Sequence, residues 1–150
     1  MKKLLLALLL FFSTFSFAQK LQSPSNFLGY KIGSHFSRHH QVIDYFKHVS
    51  TAAASNVKLV EYGKTNEQRS LVLAYISSKE NIKNLDSIRL EHLKSTRGAG
   101  SNGKAIVWLS YNVHGNESVS TEAAMQTIYE LLTSKKTYLE NTVIILDPCV

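Results

Sequence analysis

The stretch A-I-V-W-L-S-Y-N-V-H-G-N-E-S, residues 105–118, decides the fold of this chain. Residues 105–113 are nearly continuously apolar, which predicts a central strand covered on both faces. A helical pattern over residues 119–132 and a second apolar run over residues 142–146 follow it. A strand, a helix and a strand in this order predict a right-handed βαβ unit, so we expect an α/β fold with a mixed sheet.

The residues before this stretch predict two further helices and a pair of strands. Apolar residues recur every three or four positions over residues 34–54 and 80–94, as on the buried side of a helix, and Ser34 is a suitable N-cap for the first one. Residues 57–62 and 71–76 are rich in β-branched and aromatic side chains, which indicates paired strands joined by a loop. The Gly-rich residues 95–103 predict a loop.

His114 and Glu117 lie three residues apart where the apolar run gives way to the helix. A tight turn at this place directs an imidazole and a carboxylate to the same side, and two His and one Glu are a common ligand set for zinc in hydrolases. Ligands of open α/β sheets bind beyond the carboxyl ends of the strands, where this turn should lie. The alternative is a turn histidine with a carboxylate that the helix dipole stabilises.

The segments 110–118 and 143–149 resemble the zinc carboxypeptidases (the M14 peptidase family), specifically the large secreted bacterial members. The likeness extends to residues 27–30, 62–65 with Arg69, and 81–89. It implies a mixed sheet with helices on both faces and one Zn²⁺ bound by His114 and Glu117. It also implies that the second His ligand, the groups that grip the substrate's terminal carboxylate and the general base lie beyond Val150.

The implied function is that of a secreted zinc metallocarboxypeptidase that removes carboxy-terminal residues from a peptide or protein substrate. Asn116 departs from the pancreatic-type enzymes, which have Arg there, and is typical of regulatory-type carboxypeptidases and of related deacylases. A zinc deacylase or a cell-wall peptide amidase is therefore an alternative. A non-catalytic secreted binding module of the same fold is another, and no catalytic or substrate-binding residue is assigned within the chain.

The amino terminus has the pattern of a signal peptide. Lys2 and Lys3 precede an apolar core at residues 4–12, and Ser16-Phe17-Ala18 is a small-x-small cleavage site. We therefore expect residues 1–18 to be removed, a secreted or periplasmic location, and no stable membrane association afterwards. Residues 19–26 are predicted to be a linker, and residues 27–150 the amino-terminal portion of a truncated catalytic domain, since the chain stops directly after a strand.

Composition excludes two further classes of protein. The net charge of +6 comes from basic residues scattered along the chain, which favours solubility and gives no indication of a nucleic-acid partner. The single cysteine, Cys149, cannot form an intramolecular disulfide, so a disulfide-stapled scaffold is excluded. We expect Cys149 to be a buried thiol at the end of a strand.

Four other patterns are weaker. Residues 98–103 match GxGxxG, but they follow a helix and precede a strand, the reverse of a dinucleotide-binding site, so we interpret them as a surface loop. His35 and His39 could share one side of the first helix, although no carboxylate accompanies them as in a helical zinc motif. We expect Arg69 to form a structural ion pair, and Asp147 lies at a strand end without an assigned role.

Overall fold

The computed structural model describes residues 19–98, 100 and 103–149. The predicted signal peptide, residues 1–18, lies outside the described residues. The described helices and strands follow one another along the chain. They are α1 (Pro24–Leu28), α2 (His39–Ala52), β1 (Val57–Lys64), β2 (Ser70–Ile76), α3 (Lys79–Lys83), α4 (Leu85–Ser95), β3 (Ala105–Ser110), α5 (Ser118–Leu132), a 3₁₀ helix (Lys136–Leu139) and β4 (Thr142–Asp147).

The four strands form one mixed sheet in the order β1-β2-β4-β3. Strands β1 and β2 pair antiparallel, as do β2 and β4, whereas β3 and β4 pair parallel. The predicted β3-α5-β4 unit is confirmed, because a parallel pair needs a crossover connection and α5 provides it. Mixed pairing, with helices on both faces of the sheet, also confirms the predicted fold class.

The hydrophobic core lies between one face of the sheet and helices α2 and α5. Along each strand alternate residues point to this face, among them Val57, Ile76 and Leu146. Phe46 of α2 and Ile128 of α5 are fully buried against them. Each such side chain contributes about 1.5 to 3 kcal/mol through removal of its apolar surface from water.

Helix α4 lies beside the other face of the sheet. Leu85 and Ile88 of α4 and Tyr75, Trp108 and Ile145 of the sheet line a groove of about 360 Å³. Trp108 remains 59% exposed there. The prediction that the run 105–113 forms a central strand covered on both faces is therefore wrong for this structure. The strand ends at Ser110, and among the described residues β3 pairs with β4 alone, so it lies at an edge.

Two predicted helices have different bounds in the structure. The first begins at His39, and Arg38 is its N-cap; Ser34 lies outside the helix and donates a hydrogen bond from Oγ to the carbonyl of Lys31. The predicted helix 80–94 is two helices, because the backbone leaves the helical conformation at Asn84. Strands β1, β2 and β4 and helix α5 match their predicted positions to within two residues, whereas β3 ends three residues earlier than predicted.

Residues 19–26, predicted to be a linker, contact the body of the fold. The backbone N–H of Gln22 donates to Nε2 of His48 at 3.1 Å, and Pro24 opens α1 and is buried. No helix in the described part of the chain is long and apolar enough to cross a membrane.

Candidate metal centre

The candidate site begins at the carboxyl end of β3. Strand pairing continues one step past Ser110, since the N–H of Tyr111 donates to the carbonyl of Asp147 at 2.9 Å. Asn112 then adopts a left-handed conformation with φ of 58°, which asparagine tolerates better than most residues. This reversal turns the chain out of the sheet and places residues 113–117 above the carboxyl ends of β3 and β4.

The side chain of Asn112 links the turn to its two neighbouring elements. Its Nδ2 donates a weak hydrogen bond to Sγ of Cys149, just beyond β4, at 3.4 Å. Its Oδ1 accepts from Oγ1 of Thr121, in the first part of α5, also at 3.4 Å. Both contacts are long, but together they hold the start of the turn between β4 and α5.

His114 and Glu117 lie side by side at the end of the turn. Nδ1 of His114 is 2.8 Å from Oε1 of Glu117, and the backbone N–H of His114 donates to Oε2 at 3.1 Å. Hydrogen bonds from the His114 ring and then from its backbone lower the pKa of Glu117, so its carboxylate is ionised at neutral pH. The two side chains remain 73% and 39% exposed, respectively.

This pair fits the donor set of a zinc site in part. An imidazole nitrogen and a carboxylate oxygen are the ligand types that zinc prefers, and a turn of the chain holds them within one hydrogen-bond distance. Among the described residues no group of three His, Cys, Asp or Glu side chains could hold a metal ion. The turn therefore offers two candidate donors, whereas catalytic zinc usually has three protein ligands.

A cavity of about 470 Å³ adjoins the turn. Asn112 and Gly115 of the turn, Thr121 of α5, and Ser37, His39 and Arg69 are among the residues that line it. The cavity is thus bordered both by the turn and by residues at the start of α2. Most of these residues have polar side chains, so the cavity can accept groups that form hydrogen bonds.

Glu122 is a residue of this region that the sequence analysis missed. It is only 7% exposed, and its carboxylate accepts hydrogen bonds from the backbone N–H of Gly33 and from Oγ of Ser37, the latter at 2.7 Å. The one signal in the sequence is a carboxylate three positions before Met125, on the buried side of α5. Its partners lie 85 and 89 residues earlier, so the contacts themselves are not readable from the pattern.

Asp147, to which the sequence assigned no role, is the last residue of β4. Its Oδ2 accepts a hydrogen bond from the hydroxyl of Tyr62 at 2.8 Å. The register shift between Glu61 and Gly63 leaves Tyr62 out of the ladder and thereby re-aims its side chain. Burial raises the pKa of Asp147, and burial together with the hydrogen bond to Asp147 raises the pKa of Tyr62 to about 12.

The other side chains singled out in the sequence have structural contacts. Arg69 forms the expected ion pair, with Glu67, and Cys149 is the expected buried thiol. His35 precedes α2 and contacts Ser34 and the ring of Tyr30, so it does not share one side of that helix with His39. Residues 99, 101 and 102 of the GxGxxG segment lie outside the described residues, and its other residues follow α4 as expected.

Solved structures with a similar fold are carboxypeptidases and their relatives. A carboxypeptidase A from Helicoverpa armigera is 18% identical, with a TM-score of 0.57 over 84% of this chain and 30% of that one. Bovine thrombin-activatable fibrinolysis inhibitor, in complex with tick carboxypeptidase inhibitor, is 10% identical, with a TM-score of 0.55 over 77% of this chain and 31% of that one. The chain thus spans less than a third of the length of these proteins.

A search of curated proteins finds no match. The family model described as zinc carboxypeptidase matches residues 42–150, which include β3, the turn with His114 and Glu117, α5 and β4. This match covers well over half of the sequence, and the similar structures have the same fold. The chain belongs to the zinc carboxypeptidase family.

Proposed function

We propose that this chain is the amino-terminal part of a secreted zinc-dependent carboxypeptidase, and that His114 and Glu117 are two of its zinc ligands. The observation that carries the proposal is their contact of 2.8 Å on a turn at the carboxyl end of β3, within the segment that matches the family model. Membership of the family supports hydrolysis of peptides. Residues 1–18, which have the pattern of a signal peptide, support export.

The residues of the chain itself would hold the ion and shape its surroundings. Ionised Glu117 offers a carboxylate oxygen, and the ring of His114 offers Nδ1 once the hydrogen bond between them gives way to the metal. Asn112 holds the start of the turn against α5 and the residues after β4, which limits how far the two ligands can separate. When bound, zinc would polarise the scissile carbonyl and lower the pKa of a water molecule to about 7.

The chain's part in the reaction is therefore to bind and orient. The general base, the third ligand and the groups that grip the substrate's carboxylate are proposed to lie beyond Val150. Asn116 supports a second candidate substrate, an N-acyl amino acid, because the related deacylases also have Asn at this position. Both reactions would use the same two ligands.

The test uses the full-length protein that carries this sequence. His114→Ala and Glu117→Ala should each reduce bound zinc far below one equivalent and abolish hydrolysis, while circular dichroism stays close to that of the wild type, because both side chains are exposed. His40→Ala and Glu80→Ala, which change exposed side chains elsewhere, are the matched controls. Full zinc occupancy in either ligand variant would place the metal at other residues.

Substrate class and export are measured on the same material. Peptides with a free carboxyl terminus and N-acyl amino acids, assayed in parallel, distinguish a carboxypeptidase from a deacylase. Amino-terminal sequencing of exported protein should begin at Gln19. Exported protein that retains residues 4–12 would contradict cleavage of a signal peptide.

A further inference from the structure

His48 is a buried histidine that the proposed zinc site does not use. It lies in α2 and is only 6% exposed. Both of its ring nitrogens contact residues 19–23, which we call the strap. Nε2 accepts a hydrogen bond from the backbone N–H of Gln22 at 3.1 Å, and Nδ1 lies 2.9 Å from the side-chain amide of Gln19. One imidazole therefore joins the strap to α2.

The backbone of Gln22 is held by α2 at both of its polar groups. Its N–H donates to His48, and its carbonyl accepts the hydroxyl of Tyr45 at 3.1 Å. Burial, together with the nearby Tyr129, raises the pKa of Tyr45, so its hydroxyl keeps the proton in acid and at neutral pH. The strap forms no helix or strand of its own, so these side chains take the place of backbone partners.

Aromatic rings enclose the imidazole. The ring centroid of Phe27, in α1, lies 5.2 Å from that of His48 and 5.2 Å from that of Tyr45. Leu21 of the strap and Phe27 both pack against the hydrophobic core. A positive charge on His48 would therefore lie among apolar groups, away from the water that would hydrate it.

The hydrogen bond from Gln22 requires a neutral ring. Because a backbone N–H can only donate, Nε2 must be the nitrogen without a proton, and the proton of the neutral ring is on Nδ1. Protonation of Nε2 would set two donors against each other, and the N–H of Gln22 would lose its acceptor. The contact from Tyr45 would remain, so one proton removes one of the two contacts that hold the backbone of Gln22.

The charged groups around His48 do not compensate a charge on its ring. Asp44 and Lys47 of α2 are exposed and pair with each other at 3.7 Å. Lys20 of the strap is exposed, and α1 contains no titratable side chain. Burial is accordingly the cause that lowers the pKa of His48.

We propose that His48 is a pH-sensitive latch that holds the strap against α2 at neutral pH and releases it in acid. The contribution of the neutral ring to stability is fully present above pH 6.5, the ordinary pKa of histidine. It is lost as pH falls from there through the lower pKa of the folded state. The proposal does not depend on the proposed function, because His48 is neither a candidate ligand nor a residue that lines the cavity beside the turn.

Release of the strap should leave α2 in place. Val42, Phe46 and Val49 of α2 are fully buried in the hydrophobic core, between the sheet and α5. The strap, in contrast, has exposed side chains at Gln19, Lys20 and Gln22. Segments with few buried contacts open at a lower free energy than the core, so the loss of one hydrogen bond acts on the strap first.

Hydrogen–deuterium exchange of the full-length protein that carries this sequence tests the latch. Mass spectrometry of a peptide that covers the strap reports its protection at intervals from pH 7.5 to pH 4.5, after correction for the intrinsic pH dependence of amide exchange. Protection of the strap should fall by about three- to tenfold over this range, as expected for one lost hydrogen bond. Protection of α2 should change by less than about twofold.

Variants separate the acceptor from the charge. Gln in place of His48 offers an amide oxygen near the position of Nε2 and does not titrate, so in His48→Gln the strap should stay protected over the whole range. His48→Leu has no acceptor and should lower the protection of the strap at every pH. His40→Gln removes an exposed histidine from the same helix. It is the matched control and should keep the pH dependence of the wild type.

Three results would overturn the latch. The first is equal protection of the strap at pH 7.5 and pH 4.5 in the wild type. The second is the loss of the pH dependence in His40→Gln, which would assign it to His40. Neither of these results needs a variant of His48 that folds. The third is the same pH dependence in His48→Gln as in the wild type, since another group would then be responsible.

Discussion

Asp147 and Tyr62 form a hydrogen-bonded pair in which the fold shifts the pKa of both groups. Oδ2 of Asp147 accepts the Tyr62 hydroxyl, while Oδ1 is buried and has no hydrogen-bond partner among the described residues. Burial raises the pKa of Asp147 above its usual 3.8, so the protonated form stabilises the fold. This contribution is fully present below about pH 3.8 and is lost as pH rises through the pKa of the folded state.

Asp147→Asn should therefore increase the free energy of unfolding at pH 7, because the amide keeps an acceptor for Tyr62 without a buried charge. Urea unfolding of the chain from pH 3 to pH 8 measures this, and the dependence on pH should become flatter in the variant. Asp86→Asn, which changes a side chain that is 93% exposed, is the control. Lower stability of Asp147→Asn at pH 7 would contradict the argument from burial.

Tyr62→Phe should lower the free energy of unfolding at neutral pH. Without the hydroxyl, a buried carboxylate loses its donor, which costs about 1 to 3 kcal/mol of unfolding free energy. At alkaline pH the difference in unfolding free energy between the variant and the wild type should be smaller. The pKa of Tyr62 is raised from 10.0 to about 12, so its contribution to the wild type falls as pH rises through that range. Unfolding curves at pH 7 and pH 11 would show whether the difference narrows.

At the scale of residues, the sequence predicted what depends on spacing. His114 and Glu117 are three positions apart in the chain, and their side chains are in contact in the structure. Their role as ligands stays a prediction. The role of Glu122 depends on partners that are distant in the chain, and that of Asn112 depends on a left-handed backbone conformation. Neither feature leaves a periodic pattern in the sequence. The residues that support the site were therefore the ones that pattern alone could not identify.

At the scale of elements, periodicity located the helices and strands but not all their ends. Residues 34–38 continue the helical pattern of α2, yet Glu122 draws Gly33 and Ser37 into tertiary hydrogen bonds, and the helix starts at His39. The break at Asn84 likewise separates helices that one apolar pattern spans. An apolar run predicts that a strand exists. The position of that strand in the sheet depends on which other strands pair with it. Among the described residues β3 pairs with β4 alone and therefore lies at an edge.

Asn81 of α3 is the side chain that ties this short helix to the start of β4. Its Nδ2 lies within 3.2 Å of the carbonyls of Leu139 and Glu140 and of Oγ of Ser77. Asn81→Ala should lower the free energy of unfolding by about 0.5 to 1.5 kcal/mol for each hydrogen bond lost, since the carbonyls of Leu139 and Glu140 keep other donors. Urea denaturation measures the change, with exposed Lys83→Ala as the control. Equal stability of the two variants would show that water replaces the amide.

At the scale of the whole molecule, the edge strand β3 leaves apolar side chains exposed. The last strand, β4, has no unpaired edge, because it pairs with β2 and with β3. Val107 and Trp108 of β3 are 40% and 59% exposed instead.

Residues 19–150, the chain without its predicted signal peptide, should self-associate through β3. Val107→Lys places a charge on the exposed strand and should shift the protein towards the monomer, since charged side chains discourage pairing at sheet edges. Sedimentation velocity at several concentrations measures the shift. Leu90→Lys on α4 is the matched control. A wild-type chain that stays monomeric at high concentration would contradict the prediction.

The strand order β1-β2-β4-β3 has a consequence during synthesis on the ribosome. Strands β1 and β2 can pair as soon as both have emerged, whereas β3 emerges before β4, the strand that must lie between it and β2. At typical translation rates, about 2 to 6 seconds pass between the synthesis of Ser110 and that of Thr142. Throughout that interval the nascent chain carries the apolar side chains of β3 without a strand to pair with, which is when a chaperone would have most to bind.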